Sequence, residues 1–348
     1  MDGNDEPDTE KKPRPRARPA VTMAAVGRLA GVSQVTVSRA LSDPSKVSPA
    51  TLRKIRIAIE QTGFVPNAMA GALAGSRSRL VSVLVPSIAN IVYSSMVQAF
   101  GGGIRAHGYE LLLSETGFDP DEEAALAEKH LSRRPDAMVL TGTRHAPRTR
   151  RMLMGAGIPV AEMWDITDTP IDFCVGFSHV EAARAGADFA IARGYARAAN
   201  ISADDERALR RKDAFATRFA ERSGSAVGGI VFEASASIAR GREGLARLID
   251  EQGFRQGVIY CSSDLLAHGV LIEAGARGLA VPAEIAVIGF GDQDFAAHVV
   301  PGITTVRIDR AALGRTAARA ILDRLEGLDP AGAPIFDIGF EIVARGSA

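Results

Sequence analysis

The sequence predicts a small all-α head followed by a large α/β core, on three observations. Val21 to Leu41, VTMAAVGRLAGVSQVTVSRAL, patterns as two short helices around a glycine turn. From Leu80 onward, apolar runs bounded by Gly and Pro alternate with helical segments, the pattern of parallel α/β sheets. Charge is split in the same way. The 348-residue chain is neutral overall, yet residues 1–79 sum to +6 and residues 80–348 to −6. A basic head on an acidic body points to nucleic acid at the head.

In chain order, residues 1–20 are acidic, then Pro- and Arg-rich, without apolar pattern, and are expected to be a disordered basic arm. Its Lys11, Lys12, Arg14, Arg16 and Arg18 suit either phosphate contacts or simple solvation. A helix over Ala24–Ala30 is capped by Thr22, turns at Gly31, and leads to a second helix capped by Ser33 and running to about Leu41. Ala25, Val26, Leu29, Ala30, Val32, Val37 and Leu41 form the apolar stripes that pack the pair. Gln34, Val35, Thr36, Ser38 and Arg39 remain outward, a mix of amide, methyl, hydroxyl and guanidinium groups that suits the major groove. Ser48-Pro49 opens a third helix carrying Leu52, Ile55 and Ile59 on one face, and Gly63 closes it. The small-residue stretch of residues 67–79 reads as a helix too short to persist alone, with Leu73 standing out as a large apolar residue among Ala and Gly. Such a leucine can wedge a minor-groove step.

The run VTMAAVGRLAGVSQVTVSRALSDPSKVS, followed by GFVPN and ALAG, resembles the headpiece and hinge helix of the lactose/galactose repressor family. Ala25 and Gly27 depart from the family's usual Asp and Ala, which weakens helix one slightly. The resemblance implies a helix–turn–helix headpiece over 21–66, a hinge helix over 67–79, and a two-lobed, periplasmic-binding-protein-like effector core over 80–348. It places lobe 1 at about 80–176 and 307–329, and lobe 2 at about 177–306 and 330–348. It implies that Gln34 and Val35 set operator preference with Arg39 as a further base contact. Thr22, Ser33, Thr36 and Ser38 would hold phosphates, and Asn67, Ala70 and Leu73 would act at the hinge. It also implies a homodimer on a palindromic operator.

In the core, strands are expected at 80–86, 109–114, 137–142, 158–162, 198–202, 229–233, 257–260 and 285–289. Ligands of such sheets sit at the carboxyl ends of strands. The residues there are Ser87, Tyr93, Arg144, Trp164, Asp165, Phe177, Arg211, Asp264, Phe290 and Asp292. By resemblance, Arg211 is the cleft arginine that engages the effector. Asp264 either bonds ligand hydroxyls or caps its helix. Gly291 stands where sugar-responsive relatives carry an Asp, so a cleft with Arg144 and Arg211 favours an anion. Arg144 has an alternative, an inter-lobe or dimer ion pair. LVPSIANIVYSSMVQAF, TGTRHAPRTRRMLMGAGIPVAEMWD and VGFSHVEAARA look most like the gluconate-operon repressor branch, which implies a sugar-acid effector such as D-gluconate.

Other classes find little support. There is no GxxxxGK[ST], no GxGxxG after the first strand, no HExxH and no Ser/His/Asp constellation, so no enzyme, cofactor or metal is expected. No apolar run reaches membrane-spanning length and no apolar N-terminal signal precedes the basic head, which disfavours a membrane or periplasmic protein and suits the cytoplasm. Cys174 and Cys261 read as two buried thiols. Repression, activation or both remain open from sequence, because operator position decides.

Overall fold

The computed structural model describes residues 21–66, 77–328 and 335–348, and the chain divides into two units, Met1–Ser78 and Arg79–Ala348. The arm of residues 1–20 and most of the expected hinge helix lie outside the described residues.

The head is three helices around a small apolar centre. α1 (Met23–Ala30) starts at Thr22, whose hydroxyl accepts the Ala25 N–H at 3.3 Å. It stops at Gly31, whose φ of 69° is a left-handed turn that glycine enters without strain. α2 (Gln34–Ser42) starts at Ser33, whose Oγ accepts the Thr36 N–H at 3.2 Å. α3 (Pro49–Thr62) starts at Ser48 with proline at its first position. Val26, Ala30, Val37, Ala40, Ile55, Ala58 and Phe64 form the core. Three members of the expected stripes do not join it: Ala25 is half-buried outside it, and Leu29 and Leu41 are 54% and 37% exposed, because Ala30 and Ala40 take the inward positions beside them. Gly27 has a packing reason beyond helix propensity, since a Cβ there would sit 2.8 Å from the Val32 carbonyl oxygen.

The core begins with β1 (Leu80–Val85), α4 (Ile91–Arg105), β2 (Glu110–Glu115), α5 (Pro120–Leu131), β3 (Ala137–Thr141), α6 (Pro147–Ala156), β4 (Val160–Met163) and β5 (Phe173–Gly176). The second lobe follows as α7 (His179–Ala192), β6 (Ala198–Ala203), α8 (Glu206–Ser223), β7 (Gly228–Phe232), α9 (Ile238–Asp250), β8 (Gly257–Cys261), α10 (Asp264–Ala276), β9 (Ile285–Phe290) and β10 (Thr304–Arg307). α11 (Arg310–Leu325) returns to the first lobe before β11 (Ile335–Asp337) and β12 (Glu341–Val343). One sheet has the order β11-β5-β4-β3-β1-β2 and is parallel throughout; the other runs β12-β10-β9-β8-β6-β7, with only β12 antiparallel. Apolar clusters cover both faces of each sheet, which explains why the strands read as continuous apolar runs.

The eight expected strands are present with ends shifted by up to two residues, and β5, β10, β11 and β12 are additional to them. The expected lobe boundary needs one correction. Ile335–Asp337 pairs parallel with Cys174–Gly176, so this segment finishes the first sheet, and only β12 belongs to the second. β5 would otherwise end that sheet with an unpaired edge, and β11 covers it. Cys174 and Cys261 are free and buried. No helix among the described residues is long and apolar enough to cross a membrane.

Candidate DNA interface and effector cleft

On the head, the cap of α2 doubles as its exposed edge. Ser33 Oγ and Thr36 Oγ1 hydrogen-bond each other at 2.9 Å. Gln34, Val35, Ser38 and Arg39 face outward from the same helix, with Val35 65% exposed despite its apolar side chain. Packing does not explain that valine, whereas a thymine methyl is a fitting partner. Thr22 is exposed at the start of α1. Asn67, Ala70 and Leu73 lie outside the described residues.

In the core, strand exits from both lobes converge on one cleft. Its floor is aromatic: Tyr93 meets Trp164 edge-on at 5.7 Å, Trp164 meets Phe177 at 6.5 Å, and Phe177 meets Phe290 at 6.0 Å between ring centroids. Trp164 has φ of 72°, unusual for a large residue, and its indole Nε1 is buried without a hydrogen-bond partner among the described residues. Ser87 sits half-buried at the exit of β1.

Over this floor stands the first part of α8. Arg207, Arg210 and Arg211 occupy i, i+3 and i+4 and so share one face. Arg211 is 7% exposed, donates to His179 Nδ1 at 2.9 Å and to the Ser262 carbonyl at 3.0 Å, and lies 4.1 Å over the Phe290 ring. A guanidinium only donates, so His179 Nδ1 is the acceptor and its Nε2–H donates to the Trp164 carbonyl at 2.8 Å. Burial first, then the Arg211 charge, holds the His179 pKa well below the usual histidine value, so the ring is neutral. Arg207, 9% exposed, donates to the Tyr93 hydroxyl at 2.9 Å. Arg207 and Arg211 thus end on neutral acceptors, and neither forms an ion pair among the described residues. Burial draws the Arg211 pKa down, and its Nε has no hydrogen-bond partner among the described residues.

At the mouth, Arg210 pairs with Asp165, and Glu206 lies 2.8 Å from Arg210 Nε and 3.3 Å from Arg144 Nε. Arg144 is therefore an exposed residue in an ion pair between lobes, the alternative expected for it, and is not buried in the cleft. Asp264 fits neither of its two expectations. It is fully buried, accepts from Thr305 Oγ1 at 2.6 Å and from the Gln293 N–H at 2.7 Å, and the cap of α10 is Ser263. Burial pushes its pKa up to about 6. Asp292 is likewise committed, to Arg307 at 2.6 Å and Arg345 at 2.7 Å. The cleft is left rich in donors and poor in free acids.

Comparison with known proteins decides the family. Residues 22–67 match the bacterial regulatory proteins of the lacI family, and residues 187–348 match a periplasmic binding protein-like domain. The HTH-type transcriptional regulator GntR of Pseudomonas aeruginosa is 37% identical, over 97% of this chain and 98% of its own length. The chain belongs to the lacI family.

As a lacI-family member it is a DNA-binding transcriptional regulator rather than an enzyme. Two solved structures align with it. A lacI-family transcriptional regulator from Silicibacter pomeroyi has a TM-score of 0.88 at 29% identity, covering 94% of this chain and 99% of that one. The transcription regulator GntR from Chromobacterium violaceum has 0.73 at 32%, covering 77% and 98%. Of the expected effector residues of this lacI-family chain, Tyr93, Trp164, Asp165, Phe177, Arg211 and Phe290 meet in the cleft. His179, Glu206, Arg207 and Arg210 join them without having been singled out from sequence. The i, i+3, i+4 arginines in ERALRR were the available signal, but such a face usually belongs to a solvated helix.

Proposed function

We propose that the chain is a homodimeric transcriptional repressor that acts in the cytoplasm on genes for sugar-acid uptake or catabolism. A small sugar acid such as D-gluconate releases it from a palindromic operator. The observation that carries the effector class is the pair of buried guanidiniums, Arg207 and Arg211, whose hydrogen bonds among the described residues end on Tyr93, His179 and Ser262. A buried charge is stable when an opposite charge reaches it, and an effector carboxylate supplies one. Trp164 Nε1 and Arg211 Nε offer two further free donors for hydroxyl or carboxylate oxygens. The aromatic floor packs against the C–H faces of a carbon chain.

On the DNA side, Gln34, Val35 and Arg39 read base edges in the major groove. Thr22, Ser33, Thr36 and Ser38 hold phosphates, and Asn67, Ala70 and Leu73 act at the operator centre. Effector binding releases the operator only to the extent that it favours one arrangement of the regulator over the other.

The test is calorimetric titration of the whole protein with D-gluconate, with glucose and galactose as neutral controls. D-gluconate alone is expected to bind. Arg207→Gln and Arg211→Gln should each weaken it by roughly 100-fold, about 3 kcal/mol for an unpaired buried charge contact, with operator affinity retained. Equal binding of glucose, or unchanged gluconate affinity in both variants, overturns the assignment.

A further inference from the structure

The mouth of the cleft is closed by the protein's own charges. Arg144 follows β3 and Asp165 follows β4 in the first lobe, whereas Glu206 and Arg210 open α8 in the second. They alternate in sign as Arg144–Glu206–Arg210–Asp165, so the chain of ion pairs crosses from one lobe to the other twice. A single oxygen, Glu206 Oε1, makes charge contacts with both guanidiniums, 3.3 Å from Arg144 and 2.8 Å from Arg210, without a hydrogen bond to either. An isolated pair as exposed as Arg144–Glu206 contributes little, but here it continues into Arg210–Asp165, whose carboxylate is only 3% exposed. Glu206 also precedes Arg207 directly and lies about one helical turn before Arg210.

We propose that Glu206 is a tethered counter-ion for the arginine cluster: it clasps the cleft mouth and competes with the incoming effector anion. The inference rests on the anionic-effector reading. It assigns Glu206 the setting of the effector concentration at which the regulator responds. Asp165 cannot serve in its place, because one of its oxygens already pairs with Arg210 and the other accepts the Ile166 N–H at 2.9 Å.

Trp164, the chain's only tryptophan, is 4% exposed at the cleft floor and reports on the mouth. In the effector-free protein, Glu206→Gln should raise acrylamide quenching of Trp164 fluorescence at least twofold. In a titration with D-gluconate the same variant should bind at least fivefold more tightly. Arg144→Gln opens the clasp from its other end while removing a mouth cation, so it should raise quenching without any gain in affinity. Asp204→Asn removes a nearby exposed acid outside the network and should change neither readout. Unchanged quenching in Glu206→Gln, unchanged or weaker gluconate binding, or an equal gain in Asp204→Asn overturns the proposal. A wild-type protein that ignores D-gluconate defeats the effector reading alone, and the effector-free quenching comparison then decides the clasp.

Discussion

A single residue's role in this chain depends on what its neighbours leave free. Arg39 is exposed on α2 beside Gln34 and Val35, with its guanidinium available to a guanine edge. Arg39→Ala should cost about 1–3 kcal/mol of operator binding and relax preference at one base pair, measured against a panel of single-base operator variants. A uniform loss across the panel would make Arg39 a phosphate contact. The contrast with Arg207 and Arg211 shows what could be read in advance. Gln34, Val35 and Arg39 were legible because a short surface helix presents its outward residues by periodicity alone. Arg207 was not, because its burial comes from Tyr93, more than a hundred positions away in the other lobe. Asp264 was misleading for the same reason: a polar residue after a strand looks like a ligand or cap until Thr305 and Gln293 are seen to occupy it.

Elements follow the same logic. β1, β3, β8 and β9 are buried on both faces, so each announces itself as an apolar run. β11 and β12 are three residues each and only partly buried, and so carry no such signal. Helix packing adds constraints that periodicity does not display. A Cβ on Gly269 of α10 would lie 2.1 Å from the Ile238 carbonyl oxygen and 2.7 Å from Gly241 Cα of α9. Gly269→Ala should therefore destabilise the core by about 2 kcal/mol, seen as a lower urea midpoint, and an unchanged midpoint would mean that the two helices separate freely. The loop after β3 is pinned by His145, whose buried ring meets Glu123 at 2.8 Å and Glu162 at 3.2 Å. Burial alone lowers the His145 pKa, but the Glu123 hydrogen bond and the charges of Glu123 and Glu162 raise it to about 9. A folded pKa above the unfolded value gives stability that is complete below about pH 6.5 and fades as pH rises through 9. The core should lose on the order of 3 kcal/mol across that interval, and His145→Gln should remove most of the difference between urea midpoints at its two ends.

Across the full chain, a basic head is joined to a core with a donor-rich cleft. The head's Arg28, Arg39, Lys46, Arg53, Lys54 and Arg56 give operator binding a salt dependence, so affinities are comparable only at fixed ionic strength. The two-unit plan was legible from the charge split and the change of texture at Leu80. The lobe exchange at 335–337 was not, since it depends on which sheet offers an open edge. The central claim is that an anion in the cleft controls the head, and it is tested most directly by titrating D-gluconate into the complex of the protein with its own upstream DNA at fixed salt. Sub-millimolar gluconate should release a specific complex, with glucose and galactose inert and Arg211→Gln holding its DNA throughout. A specific complex that persists in gluconate, or one that Arg211→Gln releases as readily as the wild type does, would contradict it.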